Sequence, residues 1–185
     1  MEGLLLAAGA GRRMGMPKAL VTDERGCWLV RGVTTLATGG CRRVTVVLGA
    51  EAERAAALLD DLPDPSRIVV ADDWAEGMGA SLRAGMLALT DSTDGFILVS
   101  LVDLPDLVPE VVARVGTATR SPHALARASY DGVPGHPVLF GRDHWPGVLE
   151  TAHGDQGARA YLVGRDVELI ECGDLATGQD VDSRS

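Results

Sequence analysis

The amino-acid sequence predicts an α/β domain, a mostly parallel sheet with helices on both faces in three layers. Three observations carry this. Strand-like and helix-like segments alternate along the chain. The strand-like segments are continuous apolar runs, as strands buried on both faces require. The chain has 185 residues, 46% of them hydrophobic, which suits one domain with a real core. Only 4% are aromatic, so leucine, valine and alanine must fill that core.

Glu2 to Ala8 is a short apolar run stopped by glycine and reads as the first buried strand. Trp28 to Thr38 has helical spacing, with Leu29, Val33, Leu36 and Ala37 on one face and Gly39-Gly40 to end it. Arg43 to Leu48 is β-branched and reads as a strand, Glu51 to Leu62 as a helix, Ser66 to Ala71 as a strand. Ser81 to Leu89 is helical, and Gly95 to Leu101 is the strongest buried strand. Pro109 to Thr119 is a helix with proline in its first turn. His123 to Ser129 and Val138 to Phe140 are two further strands, Arg159 to Val163 a short helix, and Val167 to Glu171 a last strand. Asp174 to Ser185 is polar, with disorder expected beyond Asp182.

Composition narrows the function. A net charge of −9 argues against nucleic acid as a partner, because phosphate backbones need an extended basic face. No apolar stretch reaches the roughly 18 residues of a membrane span, and nothing resembles a signal peptide, so the expected location is the cytoplasm. Cys27, Cys41 and Cys172 are far apart, form no CxxC and read as small hydrophobes in a reducing compartment. Of the 17 basic residues, 16 are arginine. The exception is Lys18, which suggests a site wanting a compact ammonium on a flexible stem.

Lys18 closes the segment Leu6-Ala7-Ala8-Gly9-Ala10-Gly11-Arg12-Arg13-Met14-Gly15-Met16-Pro17-Lys18. The segment follows the first strand, at the carboxyl edge of the sheet where open α/β folds bind ligands. Glycines at 9 and 11 let the backbone approach a ligand, and amides exposed in such a turn form an anion-binding concavity. Arg12, Arg13 and Lys18 add three cations within seven residues, which suits a triphosphate. Two commoner phosphate loops are excluded. A P-loop needs Gly-Lys-Ser/Thr, whereas Pro17 precedes Lys18 and Ala19 follows it; the dinucleotide fingerprint needs a third glycine where Met14 stands.

This segment resembles the signature of the MobA-like nucleotidyltransferases, which have a Rossmann-like fold of the glycosyltransferase-A type. The resemblance extends in ordered blocks from Leu4 to about Asp182. It implies that a single domain, residues 1–185, divides into a nucleotide-binding half (about 1–105) and an acceptor-binding half (about 106–182). It also implies that Leu6, Ala7, Ala8, Gly9, Gly11, Arg12, Arg13 and Lys18 hold the nucleotide. Lys18, Arg12 and Asp103 would act in catalysis, with Lys18 facing the α-phosphate.

Four further blocks follow. In Leu101-Val102-Asp103-Leu104-Pro105 a carboxylate ends the strongest strand, on the glycine loop's edge. The resemblance makes Asp103 a ligand of Mg²⁺; the other reading is a turn former. Asp73 to Leu82 resembles the family stretch lining the base and ribose side, giving Gly77 and Ser81 nucleotide contacts, unless Ser81 simply caps the helix that it opens. Gly135-His136-Pro137 and Gly154-Asp155-Gln156-Gly157-Ala158-Arg159 resemble the elements that receive the second substrate. His136, Asp155 and Arg159 would then touch the acceptor; Asp155 and Arg159 pairing with each other is the alternative. Asp180-Val181-Asp182 resembles a C-terminal element whose aspartate returns to the metal, so Asp182 is the second expected ligand, against an acidic solvated tail.

The reaction implied is transfer of a nucleoside monophosphate from a nucleoside triphosphate to a phosphorylated acceptor, with loss of pyrophosphate. Ala7-Ala8-Gly9 is the form found with CTP in this family, and a methyl at position 8 would crowd a purine. The acceptor implied is molybdopterin, and a molybdoenzyme would receive the product. Two alternatives keep the family, one using GTP and one a sugar-phosphate acceptor. A different class, a Rossmann-type NAD(P) oxidoreductase, stands against the misplaced third glycine and the cationic cluster. A third reading is a non-catalytic partner that hands cofactor to a molybdoenzyme.

Overall fold

The computed structural model describes residues 1–62, 66–118 and 121–182. In chain order the strands are β1 (Glu2–Leu6), β2 (Thr22–Asp23), β3 (Gly26–Cys27), β4 (Arg43–Leu48), β5 (Arg67–Val70), β6 (Phe96–Leu101), β7 (Leu125–Tyr130), β8 (Val133–Gly141) and β9 (Glu168–Glu171). The helices are α1 (Trp28–Thr38), α2 (Ala52–Ala57), α3 (Met78–Ala88), α4 (Pro109–Ala118), α5 (Trp145–Thr151) and α6 (Arg159–Leu162).

Seven strands form one sheet in the order β5-β4-β1-β6-β8-β7-β9, and β2 pairs with β3 in a separate short hairpin. β5, β4, β1 and β6 are mutually parallel; β8 runs antiparallel to both β6 and β7, and β9 is parallel to β7. The sheet is therefore mostly parallel, with β8 the reversed strand. Strand side chains alternate between two cores. Leu5, Val46, Leu48 and Leu98 meet Leu29, Val33 and Leu36 of α1 and Val111, Val112 and Val115 of α4. Leu4, Val47, Ile97 and Val99 meet Leu82 and Met86 of α3, Trp145 and Val148 of α5 and Tyr161 of α6. The three layers are thus helices, sheet, helices.

The chain leaves β1 toward β4 and β5 on one side, then returns through α3 to β6 on the other side of β1. The strand order reverses at β1, so a crevice opens beyond the carboxyl ends of β1 and β6. The first strand stops at Leu6, short of the expected end, and Ala7 and Ala8 belong to the loop. The helix expected over Glu51 to Leu62 is only Ala52–Ala57, because Glu51 sits in the left-handed region (φ 53°) and the chain turns at Leu58. The expected end of α4 at Thr119 and the disorder beyond Asp182 lie outside the described residues. Among those described no helix is long and apolar enough to cross a membrane. The three cysteines are free; Cys41 and Cys172 are buried and Cys27 is half-buried.

Candidate active site

A cleft of about 450 Å³ opens at the reversal point. Its walls are loops that follow parallel strands: residues 7–13 and Lys18 after β1, Val102 and Asp103 after β6, and Trp74 to Met78 after β5. The glycine loop is pinned at its base, where Met14 is buried in the core and its amide donates to the Gly11 carbonyl (2.8 Å). Gly11 adopts φ +59°, and an added Cβ would run into the Met16 carbonyl oxygen. Glycine is required there by both conformation and space. Gly9 differs: a Cβ at that position meets nothing and would project into open space. Among the described residues, no backbone carbonyl takes the amides of Gly9 to Arg13. They form a row of available donors on the cleft wall.

Pro17 stops the loop from opening into a helix, and the chain instead makes one 3₁₀ turn, Lys18–Leu20. That turn aims Lys18 across the cleft. Its Nζ donates to Asp103 Oδ2 at 2.7 Å and to Asp182 Oδ1 at 2.7 Å. The Lys18 and Asp103 side chains are only 17% and 15% exposed, so their attraction is poorly screened; Asp182, at 51%, is in water. Arg13 Nη1 donates to the other oxygen of Asp182 at 2.9 Å. Burial pulls the Lys18 ammonium down, but the hydrogen bonds and charges of Asp103 and Asp182 outweigh it and hold Lys18 above the ordinary lysine value. The Lys18 hydrogen bond and charge, with Arg13 behind them, hold Asp182 below the usual carboxylate range.

Asp103, Asp180 and Asp182 each offer a carboxylate oxygen, and the three oxygens lie within 4.8 Å of one another. Asp103 Oδ1 is buried with no hydrogen-bond partner among the described residues. A carboxylate that keeps a buried, unpaired oxygen and lies close to two other carboxylates fits a hard divalent cation, for which oxygen ligands are the natural set. These three carboxylates could hold such a cation.

The structure brings Leu6, Ala7, Ala8, Gly9, Gly11, Arg12, Arg13, Lys18, Gly77, Ser81, Asp103, Asp155 and Asp182 to this one cleft. Ser81 arrives differently from the expectation. α3 starts three residues earlier, at Met78, so Ser81 is a buried residue inside the helix and not its cap. Asp155 reaches the cleft because its 3₁₀ turn, Gly154–Gln156, packs so closely on Gly77 that a Cβ there would strike Asp155 Oδ1. Two expected acceptor residues lie outside the cleft lining. Arg159 is exposed at the start of α6. His136 is half-buried on β8, and its backbone carbonyl accepts the Tyr130 hydroxyl at 2.7 Å. Trp74 lines the cleft as part of the Asp73 to Leu82 block expected on the base and ribose side, and Asp180, from the same block as Asp182, stands beside Asp103 although only Asp182 was expected as a ligand. A tryptophan inside the base-side stretch is the signal for the first, and the Asp-x-Asp spacing for the second.

The model of the MobA-like NTP transferase domain matches residues 3–169. A protein of Paenarthrobacter nicotinovorans named nicotine blue oxidoreductase is 42% identical over 194 residues, 99% of this chain and 92% of its own. Rv0371c from Mycobacterium tuberculosis H37Rv superposes with a TM-score of 0.80 at 26% identity, over 98% of this chain and 92% of that one. Its complex with manganese does so at 0.75 and 26%, over 97% and 92%, which points to divalent-metal use among these relatives. Molybdopterin-guanine dinucleotide biosynthesis protein A from Archaeoglobus fulgidus shares the fold at a TM-score of 0.68 and 16% identity, over 99% and 93%. With its glycine loop, its α/β sheet and the match over residues 3–169, the chain belongs to the MobA-like NTP transferase family.

Proposed function

We propose that this protein is a Mg²⁺-dependent nucleotidyltransferase of the cytoplasm that moves CMP from CTP to a phosphorylated acceptor, molybdopterin. One observation carries the reading: Lys18 stands between Asp103 and Asp182 directly beside a loop of available backbone amides. That is one cation poised over a metal-type carboxylate set, next to an anion cradle.

The amides of Gly9 to Arg13, with the Arg12 and Arg13 guanidinium groups, receive the triphosphate. Lys18 exchanges a carboxylate for an α-phosphate oxygen and offsets the charge that builds there. Ala8 and Trp74 bound the base side, where the Ala8 methyl favours a pyrimidine. A phosphate oxygen of the acceptor attacks the α-phosphorus in line; a new P–O–P bond forms, the bond to the β-phosphate oxygen breaks, and pyrophosphate leaves with the electron pair. The acceptor phosphate is already ionised, so no general base is needed. Mg²⁺ held by Asp103, Asp180 and Asp182 would supply charge neutralisation for the phosphates. Asp155 is the acceptor-side residue that lines the cleft, with His136 and Arg159 left to any more distant part of the acceptor.

Pyrophosphate release with CTP, GTP, ATP and UTP, each with molybdopterin and Mg²⁺, tests this. CTP should lead; a GTP preference overturns the cytidylyl assignment, and no turnover with any of the four overturns the transferase. A sugar phosphate in place of molybdopterin tests the acceptor. The name of the 42% identical relative favours a second reading, an oxidoreductase. Calorimetry separates the two: NAD(P)H binding without CTP–Mg²⁺ binding would favour the oxidoreductase.

A further inference from the structure

Asp182, which lines the cleft, and Asp180 close to it come in on a strap, residues 172–182, that has no helix or strand of its own. The strap leaves β9 at the sheet edge, passes the end of β7 and finishes beside Asp103 beyond β6. Such a segment keeps its place only if it is tied down. Asp106 ties it: Oδ2 accepts both the backbone amide and the hydroxyl of Thr177, each at 2.6 Å. Gly178 follows at φ +65° against the Tyr130 ring, where any Cβ would collide. Then the Val181 amide donates to the Asp103 carbonyl at 3.0 Å.

Asp106 lies three residues beyond Asp103, and Thr177 three residues before Asp180. The Asp106–Thr177 knot therefore sets the register between the two segments that supply the carboxylates. A slip of one residue would shift Asp180 and Asp182 by about 3.3 Å, more than a cation shell tolerates. Asp106 Oδ1 is itself buried without a partner among the described residues, so the carboxylate sits here at a cost in stability.

We propose that Asp106 is a positioning residue for the divalent-cation site, holding Asp180 and Asp182 against Asp103 through Thr177. This rests on the metal site of the proposed function. The test is calorimetric titration of Mn²⁺ into the wild-type protein, Asp106→Ala and Thr177→Val, without nucleotide, together with amide exchange across the strap. Asp106→Ala should weaken Mn²⁺ binding about ten- to a hundred-fold. Thr177→Val should weaken it less, and both should speed exchange at Val181 while leaving β1 and β4 unchanged. If Asp106→Ala does not fold, Thr177→Val decides. Wild-type Mn²⁺ affinity in the variants, even with a lowered melting temperature, overturns the role of Asp106. Absence of Mn²⁺ binding by the wild type overturns the metal site itself, and with it this inference.

Discussion

Lys18 is the one lysine among sixteen arginines, and its surroundings account for the choice. Two carboxylates from separate segments approach it at 2.7 Å each, which suits a compact ammonium better than a planar fork. Lys18→Ala should lower kcat/KM for pyrophosphate release by about 10²–10³-fold, with little loss of melting temperature. Activity near wild type would sink the assignment of Lys18 to the α-phosphate. His136 has a different consequence. Burial, helped by the Arg127 charge, pushes its imidazole down to about 4. The folded value lies below the unfolded one, so this contribution to stability is complete above about pH 6.5 and is lost as pH falls toward 4. Between pH 6.5 and 5 the loss should be about 1.5 kcal/mol, and His136→Gln should remove that part of the slope in urea unfolding. Identical slopes in the two proteins would contradict it. Residue type marked Lys18, and the family resemblance marked Asp103; neither marks a position in space. Neither could distinguish His136, which lies beside the core, from a cleft residue.

Local rules read some elements well. α1 begins and ends where the periodicity and Gly39-Gly40 put it, because both signals lie within the element or at its edge. Val138 to Phe140 reads as a strand of three residues, whereas β8 spans nine, Val133–Gly141. Pro134 and Pro137 disguise it, since proline removes ladder donors. Yet Asp131-Gly132, with φ of 51° and 78°, is a two-residue hairpin turn that the sequence states openly. α5, with Pro146 in its first turn, is not legible between two stronger motifs. The glycine loop offers the sharpest test at this scale. Gly11→Ala should cost about 1–3 kcal/mol, because φ is positive and the Met16 carbonyl blocks the side chain. Gly9→Ala should leave the melting temperature unchanged and weaken CTP–Mg²⁺ binding, because its methyl enters only the cleft. Thermal melting and calorimetry on the pair check this; equal melting losses would contradict the difference between the two glycines.

Across the whole molecule, β8 joins the parallel strands to the remainder of the sheet, and Phe140 on it is 1% exposed, opposite Ile97 and Leu125. Phe140→Ala should lower the unfolding free energy by about 3–5 kcal/mol in urea, at constant m. A smaller loss would mean that the two parts of the sheet are only loosely coupled. The apolar runs, the glycine loop, Lys18 and Asp103 were legible without coordinates. Buried parallel strands advertise themselves residue by residue, and each strand's end puts its loop on the same edge. That Asp180 as well as Asp182 would come up beside Asp103, and that His136 and Arg159 would stay out of the cleft, was not legible. Those placements depend on strand order and on how the strap is tied to Asp106. Such contacts join residues far apart in sequence, and their distances are set by packing rather than by any local preference of the chain.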